Sequence, residues 1–144
     1  MVIGIIGESC VGKSTLASML KDELGAEVIT GKDYLRLAKN EEIAKKLFEK
    51  KLAEAQTGEH IVYVISEREH LSFLPKGAVR VLLTADLPLI LERFAVRMRG
   101  NLPEPVRQML EKKHGLFDQE VHDFHIHNNI GFESVAEKLR EAAS

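Results

Sequence analysis

The stretch Gly7-Glu8-Ser9-Cys10-Val11-Gly12-Lys13-Ser14, followed by Thr15, constrains this chain more than any other. It reads G-x-x-x-x-G-K-S and stands between an apolar run, Val2 to Ile6, and an amphipathic segment that starts near Lys13. Strand, glycine-rich turn and helix start are the context a phosphate-binding loop requires. The glycines let successive backbone N–H groups converge on one point, where the helix dipole adds positive potential. Lys13 is then expected to reach the β- and γ-phosphates, and the Ser14 hydroxyl to ligate Mg²⁺. At ordinary residue frequencies a chance match in a chain of this length has a probability of roughly 1 in 200. Nucleoside triphosphate binding by Gly7, Glu8, Ser9, Cys10, Val11, Gly12, Lys13, Ser14 and Thr15 is therefore the working expectation.

The 144 residues suit a single domain, residues 1–144, with one full core. A formal charge of −2 gives no reason to expect nucleic acid or an anionic membrane as the main partner. No apolar run is long enough to span a bilayer, and the N-terminus enters a strand without a charged leader, so a cytoplasmic protein is expected. A single cysteine excludes an intramolecular disulfide framework.

Along the chain, Val2 to Ile6 reads as a strand buried on both faces. A helical stripe at Leu16, Met19, Leu20 and Leu24 ends at Gly25. Glu27 to Thr30 reads as a second strand. Tyr34 to about Gln56 is helical, with a break near Lys39-Asn40 dividing it in two. His60 to Ser66 and Val79 to Thr84 are the third and fourth strands. Asp86 then stands as a helix cap, with Pro88 in the first turn. A helix from Leu87 to about Arg99 stops at Gly100, and a Pro103/Pro105 segment runs helically to about Val121 with an interruption at Gly115. Phe124 to His127 is a fifth strand and Phe132 to Ala142 a closing helix. Strands alternating with helices imply an α/β fold with a parallel sheet, and ligand-binding residues at the carboxyl ends of its strands.

That rule selects several candidates, each with a bland alternative. Asp33 can orient an acceptor or hold Mg²⁺ through water, or simply cap the following helix. In Ser66-Glu67-Arg68, Arg68 can grip a phosphate or carboxylate bidentately, or belong to a solvated turn. Arg93 and Arg97 share a helix face, with Arg99 and Arg107 near a Gly/Pro-bounded segment. They suit a lid that closes over transferring phosphates, or a solvated face paired with glutamates. His122, His125 and His127 match no helical zinc spacing and read as packing at the end of the sheet, with metal binding as the alternative. Cys10 lies where oxidation would block phosphate binding.

With these residues in place, the chain resembles the P-loop nucleoside monophosphate kinase superfamily, and within it the cytidylate-kinase-like branch of small kinases. The carriers are Gly7–Thr15, Asp33, the arginine of Ser66-Glu67-Arg68, the Arg93…Arg97 pair, and Asp123-Phe124-His125-Ile126-His127-Asn128, similar to a D-x-x-I-x-N ending. The resemblance implies a three-layer P-loop NTPase fold with five parallel strands in the order 2-3-1-4-5 and a short helical lid over about 98–115. It also implies ATP·Mg²⁺ as donor, with Asn128 near the adenine.

The expected activity is ATP-dependent phosphoryl transfer to a small acceptor, a nucleoside monophosphate or a related metabolite. Lys13, Asp33, Arg93 and Arg97 are its expected catalytic residues, and Asp33, Arg36 and Arg68 its expected acceptor contacts. The alternative is an ATP-binding regulatory or degenerate module without turnover. No nucleic acid or membrane partner is expected, and the protein is expected to be a monomer or homodimer.

Overall fold

Val2–Ile6 is apolar or glycine throughout and buried throughout, and it forms β1 at the centre of a five-stranded sheet. The computed structural model describes residues 1–144. After β1 come α1 (Lys13–Leu24), β2 (Glu27–Thr30), a 3-10 segment (Gly31–Leu37) and α2 (Glu41–Ala55). Then follow β3 (Ile61–Ile65), a second 3-10 segment (Arg68–Phe73), β4 (Val79–Thr84), α3 (Leu87–Arg97), α4 (Glu104–Lys113), β5 (Phe124–His127) and α5 (Phe132–Ala143). The strands lie in the order β2-β3-β1-β4-β5, all parallel. This is the expected three-layer α/β architecture. No helix is long and apolar enough to cross a membrane.

The period of two along each strand sorts the core into two layers. Ile3, Ile5, Val62, Val64, Val81, Leu83 and Ile126 share one cluster with Leu16 and Leu20 of α1, Ile90 of α3 and Leu139 of α5. Val2, Ile6, Ile61, Tyr63, Ile65 and Leu82 share the other with Phe48 and Leu52 of α2, and with Tyr34 and Phe73 of the 3-10 segments. In this second layer Phe48 lies edge-on to Tyr63 (centroids 4.9 Å apart) and to Phe73 (5.2 Å). Burying a side chain of this size contributes about 1.5–3 kcal/mol, so α2 is fixed chiefly by Phe48 and Leu52.

The second layer covers the sheet unevenly. Its helical elements pack over β1, β2 and β3, whereas Phe117 is the large apolar group supplied by the segment that follows α4. Beyond it, Leu82 pairs with His125 and Thr84 with His127 across β4 and β5, and both histidines are exposed.

The structure departs from the sequence pattern in three places. The stretch expected to be helical from Tyr34 is a 3-10 turn from Gly31, because Thr30 and Asp33 form a reciprocal capping box there. The break expected near Lys39-Asn40 is present: α2 starts at Glu41, capped by the Asn40 side chain, which accepts from the Ile43 N–H at 3.0 Å. Helix α4 ends at Lys113, well short of Val121, because Gly115 has φ +82°. Asp86 occupies the cap position of α3, but its carboxylate makes no capping hydrogen bond and is committed elsewhere.

Candidate functional site

The loop leaves β1 with the Gly7 N–H donating to the Ile65 carbonyl of β3 (3.2 Å). A Cβ on Gly7 would come within 2.6 Å of the Leu83 carbonyl oxygen, so the loop passes where only glycine fits. Cys10 and Gly12 both take positive φ, +65° and +103°, which turns the chain into the first residue of α1. A Cβ on Gly12 would meet the Asn129 side chain at 2.7 Å and the Phe132 ring at 2.8 Å. The loop is thus locked between the ends of β3 and β4 on one side and the β5–α5 turn on the other.

Lys13 is 8% exposed, and its Nζ donates to the Glu8 carbonyl within the loop. Burial lowers its pKa to about 8, with Arg97 adding to the depression and Cys10 and Glu8 opposing it. Its charge therefore lacks a full counterion, a condition that an anionic ligand relieves. Arg93 Nη1 donates to the Cys10 carbonyl at 2.9 Å. With the Asn129 amide turned to the orientation that satisfies both neighbours, its oxygen accepts from Arg93 Nη2 at 2.9 Å and its nitrogen donates to the Val11 carbonyl at 3.2 Å. One guanidinium and one amide thereby hold the outer wall of the loop. A cavity of about 490 Å³ opens here, lined by Cys10, Gly12, Thr15, Arg93, Arg97 and Asn129. Ser14 is exposed in the first turn of α1 beside Thr15. A hard oxygen donor at that point and the exposed Glu67 carboxylate after β3 fit the donor type that Mg²⁺ selects.

On the other side the loop meets the segment expected to be a lid. The Glu8 carboxylate accepts the Gly115 N–H (2.9 Å) on one oxygen and lies 2.7 Å from His114 Nδ1 on the other. The C-terminal end of α4 is thus clamped to the loop. Leu110 of α4 is buried in the first core layer, and Lys113 lines a narrow cleft of about 60 Å³ with Ser9 and Ser66.

The ends of β4 and β5 carry a hydrogen-bonded chain. Asn128, at φ +51°, donates its amide to Asp86 Oδ2 and accepts from the Asp86 N–H, both at 2.9 Å. Asp86 Oδ1 is 3.1 Å from His127 Nε2; His127 Nδ1 is 2.7 Å from Thr84 Oγ1, which is 2.7 Å from His125 Nε2. The carboxylate only accepts, so a neutral His127 carries its proton on Nε2, accepts a hydrogen bond from the Thr84 hydroxyl on Nδ1, and leaves Thr84 Oγ1 to accept from His125. The Asn128 hydrogen bond, then His127, holds the Asp86 carboxyl below its usual range. Burial, then His122 and His127, lowers His125.

The residues expected on the acceptor side make their contacts with groups outside the loop. The Asp33 carboxylate accepts from the Thr30 N–H at 3.2 Å. With Arg36 it lines a cavity of about 220 Å³ along the β2 edge, walled by Glu27 and Lys51, that shares no residue with the cavities beside the loop. Arg68 pairs with Glu120 at 3.2 Å and ties the second 3-10 segment to the chain that enters β5. Arg93, Arg97 and the loop do come together. Sequence reasoning missed the roles of Glu8, His114, Asn129, Thr84 and Asp86. The signals that could have found them are the place of Asp86 and Asn129 just beyond the carboxyl ends of β4 and β5 and the alternation that puts His125 and His127 on one face of β5.

No protein-family model matches the sequence, and no curated protein matches it. Solved structures do. A gluconokinase from Sinorhizobium meliloti 1021 superposes with a TM-score of 0.58 at 17% identity, over 99% of this chain and 97% of that one. Shikimate kinase from Acinetobacter baumannii, in complex with shikimate, gives 0.62 at 20% identity, over 98% and 91%. The tunicamycin resistance protein of Deinococcus radiodurans gives 0.62 at 20% identity, over 99% and 95%. Likeness at these identities establishes the fold alone, the one these solved structures share.

Proposed function

We propose that the protein is a small-molecule kinase that transfers the γ-phosphoryl group of ATP to a hydroxyl of a small acceptor. The observation that carries this reading is the buried Lys13, whose charge lacks a full counterion, in a locked loop whose adjoining cavity is lined by Arg93 and Arg97. The loop N–H groups bind the phosphates, and Lys13 neutralises the β- and γ-oxygens. Arg97 adds positive charge beside Lys13, and Arg93 keeps the loop in register while lining the same cavity. Ser14 would hold Mg²⁺, which would supply positive charge to the phosphates. The acceptor oxygen forms its bond to phosphorus as the bond to the β,γ-bridging oxygen breaks. The hydroxyl proton is released and ADP departs with the electron pair. The α4 segment, clamped through Glu8, shields this step from water.

Gluconokinase and shikimate kinase among the structural neighbours favour a hydroxylated metabolite as acceptor. The cytidylate-kinase-like motifs put nucleoside monophosphates in the same panel. We read the protein as cytoplasmic, and as a monomer or homodimer. A second reading, an ATP-binding module without turnover, draws support from Asp33, whose carboxylate is engaged in its own capping box. The test is ADP formation measured with and without nucleoside monophosphates and hydroxylated metabolites, with Lys13→Ala as control. Acceptor-dependent ADP that disappears in the variant supports transfer. Nucleotide binding with no ADP from any acceptor supports the second reading.

A further inference from the structure

A second cavity beside the loop lies over the ends of β4 and β5, away from α2. It measures about 470 Å³, within the range of small-molecule sites, and is roofed by the segment that follows α4. Its position ties it to the loop: Glu8 forms part of its wall, and the carbonyl of the same residue accepts from Lys13 Nζ. A ligand seated there is one residue removed from the lysine that faces the transferring phosphate.

The charge of the lining is one-sided. Its acidic groups are Glu8, Asp86 and Asp118, its nitrogen bases are imidazoles, and neither lysine nor arginine is among its 12 residues. Asp86 is kept ionised by Asn128 and His127, and His125 is pushed toward its neutral form. A phosphate ester or carboxylate placed here would face three carboxylates with no guanidinium or ammonium to answer it. The lining does offer two things to a different ligand. Leu82 and Phe117 give an apolar floor for a carbon skeleton. Thr84, held between two imidazoles, sits at the centre of a chain whose members both donate and accept, which matches a hydroxyl group.

We propose that this cavity is the acceptor site, and that the acceptor is a hydroxylated amine: a small polyol bearing a protonated nitrogen. The inference rests on the kinase reading above and deepens it by naming the acceptor class. Asp118 and Asp86 receive the ammonium group, and Thr84 with His125 orients hydroxyls. Glu8, with His114 and Gly115 closing behind it, sets the end of the ligand against the loop. The expected anion grips, Arg36 and Arg68, lie outside this cavity, in agreement with an acceptor that carries no negative charge.

The test titrates glucosamine, glucose, gluconate and cytidine monophosphate into nucleotide-free protein by calorimetry, and an ATP analogue separately. Glucosamine is expected to bind about tenfold more tightly than glucose, a difference of about 1.4 kcal/mol, with gluconate and cytidine monophosphate weaker than both. Asp118→Asn, at an exposed position that leaves folding intact, is expected to bring glucosamine down to the affinity of glucose. Thr84→Val should weaken both sugars equally. Neither variant should change affinity for the ATP analogue. Preference for gluconate or cytidine monophosphate, no binding of glucosamine, or indifference of its affinity to Asp118→Asn each overturns the proposal. Failure of the ATP analogue to bind while glucosamine binds overturns the kinase reading and leaves the cavity assignment standing.

Discussion

Replacing Lys13 with methionine separates what the loop does for function from what it costs in stability. The lysine ionises near pH 8 in the folded protein and near 10.5 in its absence, and at about 1.4 kcal/mol per tenfold this is a penalty of about 3 kcal/mol at neutral pH. The sign follows from proton counting. Below pH 8 both states are protonated and the full penalty is present. As pH rises from 8 toward 10.5, the folded protein has lost the proton and the unfolded chain keeps it, so stability rises. About 2 kcal/mol of the penalty should be recovered between pH 7 and 9.5. The assay is urea denaturation of wild type and Lys13→Met at both pH values. Other titrating groups are common to the two proteins and cancel in the difference, while the hydrogen bond to the Glu8 carbonyl that the variant loses offsets the difference at both pH values and leaves its change with pH to the lysine. Nucleotide affinity of the wild type should be flat below pH 8 and fall about tenfold per pH unit above it, because phosphate favours the charged amine. A wild-type-minus-variant stability that is constant from pH 7 to 9.5 would refute the reasoning, since Lys13 would then be ionising as it does in water.

Other perturbations test single contacts. Gly12→Ala forces a Cβ to within 2.7 Å of Asn129 at φ +103°; a stability loss of about 1–2 kcal/mol from the left-handed backbone, with a larger loss of nucleotide affinity, should appear in thermal melts with and without ATP analogue. Arg93→Lys keeps the charge but cannot hold Cys10 and Asn129 together, and calorimetry should show nucleotide affinity reduced about tenfold, roughly 1.4 kcal/mol. Phe48→Ala removes the centre of the aromatic cluster and should cost about 3–5 kcal/mol in urea denaturation, with nucleotide affinity unchanged while the protein is folded. Glu8→Ala frees Gly115 and His114, and hydrogen exchange at residues 113–116 should accelerate.

The elements were legible because their signals are local. Val2–Ile6 and Ile61–Ile65 are continuous apolar runs; G-x-x-x-x-G-K-S fixes its own turn, and Arg93 and Arg97 share a face by helical spacing. What the sequence hid at Asp86 and Glu8 depends on partners far along the chain. Asp86 looks like a cap from its neighbours, and only the register of β4 with β5 brings His127 and Asn128 to it. Asp33 reads from its place after β2 as an acceptor-orienting residue or a cap, and the contact its carboxylate makes is the capping one, to the Thr30 N–H. Glu8 lies inside a recognisable motif, but its partners His114 and Gly115 are more than a hundred residues away. Helix α4 ends early because Gly115 takes the left-handed conformation, a feature that a period-based reading treats as a brief interruption.

The central claim is that the γ-phosphoryl group leaves ATP for an acceptor hydroxyl beside Lys13. Phosphorus NMR of protein, Mg²⁺, ATP and the acceptor panel follows that group directly. The account predicts loss of the γ signal with matching growth of a phosphate monoester and of ADP, absent with Lys13→Ala. ATP that binds and stays intact with every acceptor, or that yields only inorganic phosphate, would contradict it.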